Sequence, residues 1–135
     1  MKVTASFIPA TWDEKPYGEL PQPMKLTRAS IEFAFKGGFD GKGLTEYVMF
    51  YKEYDGKDPH RSIATYVGLT RYDGTLNGKS GSFVTEDRGT FEGGEAKSVS
   101  TILPGSGTGD LKTISGIATS TSTQKTSEFV LEYNL

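Results

Sequence analysis

Between Lys25 and Lys36 the chain alternates without a break. Ala29, Ile31, Phe33 and Phe35 fall on one side, and Arg28, Ser30, Glu32 and Lys36 on the other. Only an extended strand with one dry face and one wet face places side chains that way. The C-terminal stretch repeats the pattern, with Phe129, Leu131, Tyr133 and Leu135 against Glu128, Glu132 and Asn134. These two segments commit the chain to β-structure, and no segment shows a helical period.

Turn chemistry divides the rest. Gly37-Gly38, Asp73-Gly74, Asn77-Gly78 and Gly93-Gly94 sit between apolar runs, where hairpins require residues tolerant of positive φ. Glycine is abundant for the same reason, at 17 of 135 residues, against an ordinary share of about 7%. The predicted strands are Val3–Trp12, Lys25–Lys36, Gly43–Tyr54, Ser62–Tyr72, Gly81–Phe91, Ala96–Leu103, Ile114–Ser122 and Thr126–Leu135. The segment from Asp13 to Pro23 carries three prolines and reads as an irregular connection, a lid or strap across one end. His60 falls in a polar loop, and Pro104–Leu111 reads as a wide glycine-rich turn.

Eight consecutive hairpin-linked strands are expected to form one all-β domain over residues 1–135. A sandwich is the alternative. A closed antiparallel barrel is favoured, because both terminal segments are strands and pairing them removes the exposed edges.

Several function classes are disfavoured. The 15 basic and 17 acidic residues are interspersed, whereas nucleic-acid binding needs a basic stripe. No apolar run approaches the roughly 20 residues of a membrane helix. Neither a signal-peptide pattern nor cysteine is present, so a cytoplasmic location is expected. Hydrolase elbow, zinc-helix and dinucleotide motifs are lacking, and neither a cofactor nor a metal is expected.

Candidate site residues come from charges that share apolar faces. Glu46 lies with Leu44, Val48 and Phe50; Arg71 with Ile63, Val67 and Leu69; Asp87 with Phe83, Thr85 and Phe91. If these faces point inward, three charges lie inside, and buried charges require partners. Arg71 would then meet Glu46 or Asp87, or a polar ligand would sit between them. The alternative is a structural ion pair, or a bulge that turns the charge to solvent. Tyr47 and Trp12 complete the candidate interior. Tyr47, Met49 and Tyr51 form a second apolar face that also suits a subunit interface, so a homo-oligomer is expected.

The chain also resembles domain-of-unknown-function family 3224. The resemblance rests on Trp12-Asp13-Glu14-Lys15-Pro16-Tyr17, Leu26-Thr27-Arg28-Ala29-Ser30, Glu46-Tyr47-Val48-Met49, Tyr66-Val67-Gly68-Leu69, Gly81-Ser82-Phe83-Val84 and Pro104–Leu111. It implies an eight-stranded barrel of the allene oxide cyclase type, calycin-like in outline. Gly107-Thr108-Gly109-Asp110-Leu111, followed by Gly116, is similar to the glycine pattern of allene oxide cyclases and dirigent proteins. The chain departs from the family pattern at Asp87 and Ser100, where many members carry histidine and tryptophan. The family brings no catalytic residues to transfer. Three functions follow as expectations: a module binding a small apolar or carboxylate-bearing molecule, an enzyme of cyclase or isomerase type, or a filled barrel acting through its surface.

Overall fold

The computed structural model describes all residues from Met1 to Leu135. Eight strands run in chain order: β1 (Lys2–Pro16), β2 (Lys25–Gly37), β3 (Phe39–Glu53), β4 (Ile63–Leu76), β5 (Lys79–Glu92), β6 (Glu95–Ile102), β7 (Ser115–Ser122) and β8 (Ser127–Asn134). Each pairs antiparallel with the next, and β1 pairs with β8 to close an up-and-down barrel. Short 3-10 turns at Pro59–Arg61 and Gly109–Leu111 interrupt two of the connections.

Register carries the face assignment around the wall. Residues directly opposite in a ladder share a face. β2 is unambiguous, with Ala29 and Ile31 buried. Ala29 pairs with Tyr47 and Ile31 with Thr45, so the odd residues of β3 point inward. Tyr47 then faces Gly68, and Thr45 faces Thr70, which turns the even residues of β4 inward. Gly68 in turn faces Asp87 on β5. One clean amphipathic strand thus decides three more.

This corrects the expected interior. Glu46 and Arg71 lie outside, and both are exposed. Glu46 accepts a hydrogen bond from Ser30 Oγ at 2.9 Å, and Arg71 stands 3.5 Å from the Asp73 carboxylate in solvent. Their burial would have cost two desolvated charges, while the alternative faces, with Tyr47, Met49 and Tyr51 or with Tyr66 and Tyr72, carry none. The Tyr47-Met49-Tyr51 face is therefore interior wall, not a surface for a second subunit. Leu44, Val48, Phe50, Val67 and Leu69 take the outer face instead.

β1 departs in another way. Its register shifts between Pro9 and Thr11. Phe7 and Pro9 pair with the inward Phe35 and Phe33. Beyond the bulge, Trp12 pairs with Ile31, Glu14 with Ala29 and Pro16 with Thr27. One extra residue changes the inward set from odd to even, and the strand continues to Pro16 through part of the expected strap.

The two ends of the barrel differ. Phe39, Leu76, Phe83 and Leu131 fill one end, each no more than 1% exposed. Rings pack there edge-to-face and stacked, as in Tyr72 on Phe83 at 4.8 Å. The Pro104–Leu111 connection folds over this end. Ser82 N donates to Thr108 Oγ1, and Leu111 is fully buried in the same cluster. The opposite end, where β1 finishes and β2 begins, is open.

Candidate functional site

A cavity of about 650 Å³ enters through the open end. Its floor is the aromatic plug, through Phe35, Tyr72 and Phe129. Its walls are unlike one another. The long strands β1–β4 supply rings, among them Phe33, Tyr47, Tyr51 and Tyr66. The shorter β6 and β7 supply Ser98, Ser100, Ser120 and Ser122. Trp12, Pro16, Lys25, Tyr54 and Pro59 form the rim.

Two glycines make the tyrosine wall possible. A Cβ on Gly68 would lie 2.6 Å from the Tyr47 ring, and one on Gly89 only 2.2 Å from the Tyr66 ring. Both positions face inward; at Gly89 the missing side chain is the space the Tyr66 ring occupies, while at Gly68 a Cβ would first meet the Glu46 carbonyl oxygen, at 1.9 Å. Tyr47 and Tyr66 then lie 4.9 Å apart.

Behind this wall is Asp87, 1% exposed. It has no cationic partner. Tyr47 Oη donates to Oδ2 at 2.9 Å, Thr70 Oγ1 to Oδ2 at 2.5 Å and Thr85 Oγ1 to Oδ1 at 2.6 Å. Thr45 shares a further hydrogen bond with Thr70 at 2.7 Å. Three hydroxyls satisfy the carboxylate where an arginine was expected. Burial, then the Asp87 charge, pushes the Tyr47 hydroxyl well above the ordinary tyrosine value, and the same pair of causes raises Tyr72. Both remain neutral hydroxyls across the physiological range.

A second carboxylate stands at the mouth. Glu14 Oε1 accepts from the Trp12 indole at 3.0 Å, and Oε2 accepts from Thr27 Oγ1 at 2.7 Å and Tyr51 Oη at 2.6 Å. Burial, then the hydrogen bond to Glu14, raises the Tyr51 hydroxyl above its ordinary range. Lys25 Nζ lies 3.9 Å from the centre of the Tyr54 ring, a cation–π contact.

Of the residues singled out from the sequence, Asp87, Tyr47 and Trp12 are therefore at the cavity or in its immediate backing, and Glu46 and Arg71 are not. Glu14, Thr27 and Thr70 are additions from the structure, Tyr66 joins them as a wall residue, and Tyr51 moves from the face read as a subunit interface to the mouth of the cavity. For those on β3 and β4 a signal existed, since each uncharged face competed with one carrying a charge. For Glu14 there was none, because the bulge that aims it inward leaves no mark in composition. His60 is exposed and contacts the Gln124 side chain.

Fold and site together define a small eight-stranded barrel, plugged at one end and hollow at the other. Residues 3–133 match the family described as protein of unknown function (DUF3224), and the chain belongs to that family. It is similar over its whole length to a solved structure from Shewanella oneidensis MR-1, a protein of unknown function from the same family. The TM-score is 0.76 at 21% identity, with 96% of that chain covered. At this identity the likeness concerns the fold. No match was found among the curated proteins.

Proposed function

We propose that this protein is a binding module that holds one small, largely apolar molecule inside the barrel. The observation that carries the reading is the cavity: about 650 Å³, open at one end, with rings on one side and hydroxyls on the other. Ligand pockets span about 300–1,000 Å³ and combine an apolar lining with a few fixed polar groups. Eight strands enclose room for one such ligand when an end is left unfilled.

Native mass spectrometry of the protein as purified from cells is the test. A bound organic mass, released on denaturation, is expected. Trp12 is the single tryptophan and stands at the rim, so its fluorescence should change as apolar probes are titrated in. A bare polypeptide mass together with an unresponsive Trp12 would overturn the reading.

Two alternatives each rest on one observation. A cyclase- or isomerase-type enzyme, in keeping with the resemblance to allene oxide cyclases, would use Tyr47, which lines the cavity with its hydroxyl backed by Asp87. Such an enzyme would lose turnover in Tyr47→Phe while keeping its fold. Self-association would use the outer face of β3 and β4, where Val48 pairs with Val67 and both are about 41% exposed. Light scattering would then report a discrete oligomer that Val48→Lys dissociates. A cytoplasmic location belongs to the same proposal and is tested by cell fractionation.

A further inference from the structure

We propose that the molecule the cavity takes is an organic cation: an apolar, ring-bearing body ending in a protonated amine, with the amine held at Glu14. The inference rests on the binding-module reading and names its ligand class.

Charge balance is the first argument. The charged side chains lining the cavity are Glu14 and Lys25. Asp87 stands immediately behind Tyr47 and Thr70, and only hydroxyls neutralise it. Two carboxyl groups, one lining the cavity and one behind its wall, thus stand against a single ammonium beside an apolar space, where charges are weakly screened. Lys25 does not cancel Glu14. Its ammonium is engaged with the Tyr54 ring, and the salt bridges of the molecule are Asp13–Lys15, Arg71–Asp73 and Glu95–Lys97, all at the surface.

Hydrogen-bond capacity is the second. A carboxylate oxygen accepts about two hydrogen bonds. Glu14 Oε2 has both, from Thr27 and Tyr51, while Oε1 has one, from Trp12. One acceptor position is left, on Oε1, in a carboxylate that three donors hold half-buried at the mouth. A carboxylate-bearing ligand would meet Glu14 as a like charge. An amine donates to it.

The surroundings are the third. Trp12, Tyr51 and Tyr54 surround the same position, with Tyr51 and Tyr54 edge-to-face at 5.2 Å. Aromatic faces attract cations, and Tyr54 already holds one from Lys25. The body of the ligand would extend inward along Phe33, Tyr47 and Tyr66.

Three probes of equal ring and similar chain length test this on the unaltered protein: 2-phenylethylamine, 2-phenylethanol and 3-phenylpropionate, titrated by calorimetry and Trp12 fluorescence at pH 7. The amine should bind at least ~10-fold tighter than the alcohol, the size of one charge-assisted contact, and the propionate should be weakest. Glu14→Gln should remove most of that preference and leave the alcohol within about 2-fold of its original affinity. Equal affinity for all three probes would overturn the cation inference while leaving the pocket reading standing. So would tightest binding of the propionate, which would make Lys25 the anchor, or an amine preference that survives in Glu14→Gln. If none of the probes binds and native mass spectrometry shows no bound mass, the pocket reading itself falls and takes the inference with it.

Discussion

The plugged end and the open end of this barrel are built from the same strands and the same kinds of side chain, yet they do opposite things. At the plugged end, Phe39, Phe83, Leu111 and Leu131 are fully buried, with the Phe39 and Phe83 rings packed edge-to-face. At the open end, Tyr51, Tyr54 and Trp12 stand around a void, each tied by a hydroxyl, an indole N–H or a ring edge to a fixed partner. The difference teaches how one barrel keeps a packed core and an open cavity apart. Apolar area removed from water stabilises one end, at about 1.5–3 kcal/mol for each fully buried large side chain. At the other end the rings are held in place by polar contacts, so the void does not collapse.

The sharpest way to break this comparison is to cut into the plug. Phe83→Ala should destabilise the fold by about 3–5 kcal/mol, the cost of an aromatic-sized hole in a packed core, read as a loss in denaturant midpoint. Trp12→Ala at the rim should cost well under 1 kcal/mol. Comparable losses at both sites would show that the rim carries the fold as much as the plug does.

A smaller effect is expected at the wall between the ends. Asp87→Asn should cost about 1–3 kcal/mol, because three hydroxyls lose a charged acceptor. The chemical shifts of Tyr47 should move while those of the plug stay in place. Gly89→Ala should cost a similar ~1–3 kcal/mol by overpacking, since the added Cβ meets the Tyr66 ring. It should also break the bond between Tyr66 Oη and Ser98.

Alkaline pH probes the same wall. Burial raises Tyr47, Tyr51, Tyr66 and Tyr72 above the free value of 10.0. A group whose folded pKa lies above its unfolded value contributes stability fully present below the unfolded pKa and lost as pH rises through the folded one. Melting temperature should therefore be insensitive to these four below pH 10 and fall above it. Ultraviolet titration of the folded protein should show these four tyrosines ionising above the free value. Normal titration of these four in the folded protein would contradict the buried wall.

The smallest effect belongs to the outside. Arg71→Ala and Glu46→Gln should each change stability by no more than ~0.5 kcal/mol, since both side chains are solvated. A large loss at Arg71 would return it to the interior and invert the face assignment of β4.

Period-two alternation, glycine-marked turns and two terminal strands were enough to read eight strands, an all-β fold and closure, because those follow from local geometry and the avoidance of open edges. The same alternation also placed Asp87 with Phe83 and Thr85, and that grouping stands inside. Which face turns inward is a different matter. β3 and β4 are apolar on both sides, so local pattern leaves two solutions, and only the ladder to β2 selects one. Glu14 depends on a single extra residue near Ala10, and a bulge reverses every later side chain without altering composition. The strands were therefore legible in the chain itself. The cavity was not, since it is made by register, by a bulge and by two glycines whose meaning lies in the neighbouring strand.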